Sequence, residues 1–247
     1  MTILTYDTKN GYVYNPQDNP SIKAIAKELL NDIAMRIDWD SDKLTLPKGV
    51  YALQTKTKHY GGHLFKVQLK STVGQKVSKV YIIKQIKSYS TCVECEKLAI
   101  TKLANKENLL TPLASVEIEN KSKSNKKDLL MIFEFARGSL DNVTTSNLHD
   151  FIHIITGLAN GLANIHEQKL IHNDLKLANC FLRNDGTGAV CDFGEIQLLT
   201  NKLIYEVFFS NGNGRTYGVI NQYLQNDNLG PVQEKAEVVI RLRPPFQ

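Results

Sequence analysis

Residues 171–194 read IHNDLKLANCFLRNDGTGAVCDFG. Asp174 and Asn179 lie five positions apart, and Asp192 follows thirteen positions after Asn179, next to Phe193 and Gly194. A short hairpin between the two clusters turns both loops toward one cleft. Two loops so placed can supply two carboxylates and an amide oxygen to one site. Phosphoryl transfer from a nucleotide needs these groups together, because its catalysis is almost entirely positioning and charge neutralisation.

His172-Asn173-Asp174-Leu175-Lys176-Leu177-Ala178-Asn179 follows H-R-D-L-K-x-x-N, and Asp192-Phe193-Gly194 is D-F-G. On these residues the chain resembles the eukaryotic-type protein kinases. The departure is Asn173, where the family usually carries Arg. The resemblance implies a two-lobe α+β fold with ATP between the lobes and Mg2+ on its phosphates. It assigns Asp174 to orient the acceptor hydroxyl and take its proton, Lys176 to neutralise charge on the γ-phosphate, and Asn179 and Asp192 to hold magnesium. Lys176 is the residue that the family's Ser/Thr members carry, so the implied acceptor is a Ser or Thr of a protein substrate.

Upstream, Tyr81-Ile82-Ile83-Lys84 is similar to the V-A-I-K strand whose Lys contacts the α- and β-phosphates. A buried Lys needs a carboxylate, and Glu94 and Glu96 are the candidates. Ile100 and Leu103 follow Glu96 at helical spacing, whereas the seventh residue after Glu94 is the polar Thr101, so Glu96 is preferred. Aligning Val67 with the final Val of G-x-G-x-x-G-x-V puts Tyr60, Gly62 and Phe65 at the glycine positions. Only Gly62, with Gly61 beside it, remains as a lid over the phosphates. The stretch Met131–Leu140 resembles the hinge. By position, Glu134 and Ala136 offer backbone groups to adenine, and Phe133 guards the pocket behind.

The chain has 247 residues, 42% of them hydrophobic, and a formal net charge of +5, much of it in the Lys-rich run Glu119–Asp128. That run reads as a solvated hairpin tip between strands, without the interleaved aromatics of a nucleic-acid surface. No apolar run has the length of a membrane span and no secretory leader is visible. The expected setting is cytoplasmic, or the host cytosol for a translocated bacterial effector. Cys92 and Cys95 read as free thiols at a helix start. Cys191 is placed beside the nucleotide cleft, within reach of electrophiles or as a small buried filler.

The expected organisation is an N-terminal extension over 1–49, a small lobe over 50–135 and a shortened large lobe over 136–247. Residues 1–20 read as loose. Ser21 caps a helix to about Ile37. Strands are expected over 44–56, 63–70, 80–86, 113–118 and 129–133, giving a five-stranded small lobe, and Leu148–His166 reads as a long amphipathic helix in which His166 packs. Beyond Gly194 the resemblance fades. A-P-E and D-x-W-x-x-G are not found in 195–247, and Gly214–Gly218 stands as a remnant of the docking segment. A minimal kinase and a piece of a longer protein both fit. A pseudokinase scaffold and a small-molecule phosphotransferase stand as the other function classes. In many family members the Arg at the Asn173 position anchors a phosphorylated activation segment, for which Thr200, Tyr205, Ser210, Thr216 and Tyr217 would be the acceptors here. Without that Arg, regulation is expected from an activating partner protein.

Overall fold

The computed structural model describes residues 3–16, 20–39, 41, 43–53, 62–73, 77–88, 90, 92–119, 126–143, 147–198, 210–211 and 215–216. It divides into two compact units, residues 1–198 and 199–247. In the second, Ser210–Asn211 pairs antiparallel with Arg215–Thr216. The candidate acceptors Thr200, Tyr205 and Tyr217, the Lys-rich tip over 120–125, Tyr60 with Gly61, and the C-terminal residues lie outside the described residues.

The first unit is built on a seven-stranded sheet. Its members are β1 (Leu4–Asp7), β2 (Gly11–Tyr14), β3 (Val50–Leu53), β4 (Leu64–Ser71), β5 (Val77–Ile86), β6 (Ala114–Glu119) and β7 (Lys127–Glu134). The spatial order is β1-β2-β4-β5-β7-β6, with β3 also on β4. Strands β3 to β7 are antiparallel neighbours. β2 runs parallel to β4 over Leu69–Ser71, and β3 pairs with Leu64–Val67. The two therefore share one edge of β4, end to end.

This arrangement corrects three expectations. Residues 4–14 form a hairpin, closed by the Asp7 carboxylate accepting from Lys9 N (2.8 Å) and Asn10 N (2.6 Å). The small lobe holds seven strands, and the 1–49 segment is built into its sheet and core. The strand expected from Leu44 begins at Val50, because Pro47 and Gly49 (φ +88°) make a turn closed by Val50 N on Pro47 O at 3.0 Å.

Helix α1 (Ile22–Arg36) begins at Ser21, whose hydroxyl accepts from Ala24 N at 3.1 Å. Ile25, Leu29, Leu30 and Ile33 recur at helical spacing and are buried. They pack with Phe65, Val67 and Leu69 of β4, Tyr81 and Ile83 of β5, and Leu130 and Ile132 of β7. Helix α2 (Cys92–Leu103) belongs to the opposite face. Its Cys92 and Val93 cluster with Ile86, Leu129 and Met131, with Phe133 and Ile100 packed against them. The sheet is thus the middle layer of a sandwich, and strand parity decides which helix each side chain meets.

After β7 the chain passes through β8 (Gly138–Ser139), helix α3 (Leu148–Glu167), β9 (Leu170–Ile171), β10 (Cys180–Leu182), β11 (Gly188–Val190) and β12 (Gln197–Leu198). α3 lies tight on the β10–β11 hairpin. A Cβ at Gly157 would come within 2.5 Å of Gly188 O, and one at Gly161 within 2.5 Å of Asn108 O. Ile165 is buried at the end of that face, while His166 is exposed, against the packing role expected for it.

Candidate active site

Lys84 projects from β5 on the α2 face. Its Nζ lies 2.7 Å from Glu96 Oε1 and 2.6 Å from Asp192 Oδ1. Glu96 is 1% exposed, whereas the Glu94 side chain is 81% exposed and pairs with Lys97 at the surface. The helical spacing that favoured Glu96 therefore points to the residue that meets the lysine. Burial works against charge on Lys84, but Glu96 and Asp192 outweigh it and hold the ammonium well above its ordinary pKa. Burial also pushes Glu96 upward, opposed by Lys84.

Asp174 and Asn179 sit in the loop between β9 and β10. Asn179 Nδ2 donates to Asp174 O at 2.8 Å and to Asp174 Oδ2 at 2.9 Å. This fixes the Asn amide with its oxygen turned from Asp174, available as a ligand. Lys176 Nζ donates to the same Oδ2 at 2.6 Å. Cys191 N donates to Asn179 O at 2.9 Å, so the two loops are stitched at their bases.

His172 ties them further. Its Nδ1 accepts from Asp174 N at 3.3 Å, so Nε2 carries the proton and donates to Cys191 O at 3.0 Å. The ring also packs on Phe193, 5.7 Å between centroids. Burial lowers the His172 pKa, which suits the neutral tautomer these bonds require. Asn173 and Asp192 both occupy the left-handed region, φ 63° and 66°. Asn tolerates this better than most residues. The Asn173 amide donates to Glu195 O at 3.0 Å, holding the chain just after Gly194 to the Asp174 loop. β12 then pairs with β9, Gln197 opposite Ile171. Nothing in residue type alone signalled the Asn173–Glu195 bond; a small polar residue in place of Arg was its one trace.

Strand parity corrects the register of the glycine loop. Val67 is fully buried on the α1 face, and Phe65 beside it is core. Leu64 stands directly opposite Lys84. The resemblance puts phosphates at Lys84, and a lid over them would flank that same face, which fits Gly62-His63-Leu64 to the G-x-V place and Gly62 to the third glycine position. Gly62 also lies against β5, where a Cβ would fall 1.9 Å from Gln85 O. Its missing side chain is thus required by the sheet as well.

At the hinge, Phe135 O accepts from Asn184 Nδ2 at 2.8 Å, and Arg137 N donates to Leu182 O at 2.9 Å. These bonds strap the chain on both sides of Ala136. Among the described residues the Ala136 backbone makes no hydrogen bond. A pocket of about 130 Å³ lined by Leu110, Glu134, Phe135, Ala136, Arg183, Asn184 and Asp185 opens beside it. It includes neither Lys84 nor Asp192 and is smaller than the pockets that enclose drug-sized ligands. Cys191 is half-buried, and desolvation pushes its thiol up to about 12, so it is a protonated, weak nucleophile at neutral pH. Cys92 and Cys95 are free thiols, as expected.

Two lobes, a lysine braced by a helix carboxylate, and paired Asp174 and Asp192 loops define the class. The protein kinase domain family model matches residues 62–213, and the chain belongs to that family. Human cyclin-dependent kinase 9 is 28% identical over 140 residues, covering 54% of this chain and 37% of that protein. Xenopus laevis cyclin-dependent kinase 9-A is 25% identical over 144 residues, 54% of this chain and 38% of that one. A serine/threonine-protein kinase of Candida albicans is 27% identical over 114 residues, 40% of this chain and 15% of that protein. The chain thus matches well under half the length of these relatives.

Proposed function

We propose that this protein transfers the γ-phosphoryl group of ATP to Ser or Thr hydroxyls of a protein substrate. The observation that carries the reading is Lys84 held between Glu96 and Asp192, with Asp174 and Asn179 locked together in the adjoining loop. The donors fit magnesium. Asn179 offers an amide oxygen and Asp192 a carboxylate, both hard oxygen ligands. Among the described residues no cluster of three or more His, Cys, Asp or Glu side chains could hold a metal alone. Nucleotide phosphates and water would complete the coordination, as is usual for this ion. When bound, magnesium neutralises charge on the phosphates.

The protein's own residues do the rest. Lys84, kept protonated, meets the α- and β-phosphates, and Glu96 fixes where it points. Asp174 accepts a hydrogen bond from the acceptor hydroxyl and then its proton. Lys176, which rests on Asp174, swings to the γ-phosphate. Glu134 and Ala136 receive adenine through their backbone, Phe133 limits the space behind, and Gly61 and Gly62 close over the phosphates. The human and Xenopus laevis relatives are cyclin-dependent by name, and an activating protein partner enters this reading from them.

The test is magnesium-dependent transfer of labelled phosphate to generic protein substrates, set beside a panel of aminoglycosides and sugars. Labelled protein Ser/Thr supports the assignment. Labelling confined to a small molecule, or magnesium-independent nucleotide binding without turnover, overturns it.

A further inference from the structure

The geometry points to the N-terminal layer as a clamp that sets the position of α2 from the far side of the sheet, with Lys87 and Asp128 as positioning residues for the Lys84–Glu96 pair. Lys84 and Glu96 lie on either side of one short connection, residues 87–91, between β5 and α2. Wherever that connection sits, α2 and Glu96 follow.

Asp128, 2% exposed on β7, grips it. One carboxylate oxygen accepts from Ser88 N at 2.8 Å. The other accepts from Gln85 Nε2 at 3.0 Å and pairs with Lys87 Nζ at 3.1 Å. The grip is passed to the helix through two short links. Ser90 N donates to Lys87 O at 2.9 Å, and Ser90 Oγ accepts from Cys92 N, the first residue of α2, at 3.3 Å.

The N-terminal layer reaches the same node. Lys87 Nζ also donates to Trp39 O at 3.5 Å. Trp39 follows α1 closely. It is buried, donates from Nε1 to Ala34 O at 3.0 Å and meets the Phe65 ring edge-on at 5.8 Å. At the opposite end of α2, Lys23 in the first turn of α1 bonds the side chain of Asn105, just past the last turn of α2. The segment 23–39 therefore touches the structure at both ends of α2 without lying on that helix. Removing the charge of Lys87 leaves Asp128 buried with fewer partners, a change that costs far more at a buried site than at a surface one.

This inference rests on the kinase reading only where it speaks of catalytic rate; its structural content is separate. The experiment is amide hydrogen exchange on the full chain for Lys87→Met, Lys87→Arg and Asp128→Asn, with Lys97→Met as the reference that removes only surface ion pairs of α2. Lys87→Met is expected to speed exchange in Cys92–Leu103 by about tenfold or more, with α1 unchanged, because local opening follows local contacts. Lys87→Arg restores protection. The KM for ATP rises in parallel, and Lys97→Met alters neither. Should Asp128→Asn fail to fold, Lys87→Met carries the test, and Lys23→Ala loosens the exposed end independently. If α2 in Lys87→Met and Lys23→Ala exchanges like the Lys97→Met reference, the clamp is wrong. Exchange needs no turnover, so a chain inactive on every substrate still decides the point, and an unaltered α2 in an active kinase rejects the clamp alone.

Discussion

The two faces of the small-lobe sheet are made from alternate residues of the same strands and serve opposite ends. Toward α1, β5 presents Tyr81 and Ile83 into a continuous apolar cluster. Toward α2 it presents Lys84, met by one buried carboxylate and a second at the cleft. A buried ion pair is weak evidence for stability, since desolvation offsets much of its attraction. The α1 face supplies cohesion through hydrophobic burial, and the α2 face uses that cohesion to keep charges in a fixed arrangement.

Substitutions on the two faces should then fail differently. Asp192→Ala is expected to lower phosphotransfer by at least about a thousandfold, roughly 4 kcal/mol of barrier, while the melting temperature barely moves. Activity within about tenfold of the parent would remove Asp192 from the metal site. Leu29→Ala, on the α1 face, should cost about 3 kcal/mol in urea unfolding, because a fully buried leucine leaves a cavity. Per folded molecule its turnover should stay near that of the parent. Glu96→Gln should reduce transfer by about thirtyfold, roughly 2 kcal/mol, against no measurable change for the exposed Glu94→Gln. Equal effects would mean that the face of α2 has been misread.

A smaller effect comes from pH. His172 has its pKa lowered in the fold by burial from the ordinary 6.5, so the unfolded chain takes up the proton first. Stability should therefore fall as pH drops through 6.5 toward the lowered value, then level off. Urea midpoints between about pH 7.5 and 5.5 measure this, with a slope of at most about 1.4 kcal/mol per pH unit. His172→Gln should flatten that part of the profile. The smallest effect expected is from dephosphorylation. Asn173 holds Glu195 O through a neutral amide, so phosphatase treatment should change activity by less than about threefold. A larger loss, restored on rephosphorylation, would require a cationic anchor elsewhere.

The α2 face was the more legible in sequence. Asp174, Asn179 and Asp192 stand at fixed spacing because short loops impose it, and Glu96 was separable from Glu94 by the apolar residues on its side of the helix. α1 announced itself through Ser21 and its apolar period. The β1–β2 hairpin did not, although Asp7-Thr8-Lys9-Asn10-Gly11 is good turn chemistry. Its strands are four residues each, and what stabilises them is a parallel pairing with Leu69–Ser71 that no local pattern encodes. The glycine-loop register failed for a related reason. Val67 matches the motif's final residue in type, but the inside-outside parity of β4 belongs to the whole sheet. His166 continued the helical pattern of α3, yet its ring falls on the exposed side.

The shared edge of β4 bears on how this protein can be produced. The family match begins at residue 62, and a fragment cut there would leave both halves of that edge without a neighbour. It would also uncover Phe65, Val67, Leu69, Tyr81, Ile83, Leu130 and Ile132, the surface that α1 now shields. An open strand backed by a broad greasy surface recruits other chains. A recombinant fragment trimmed to the family boundary should precipitate, whereas one that starts ahead of Leu4 should remain soluble.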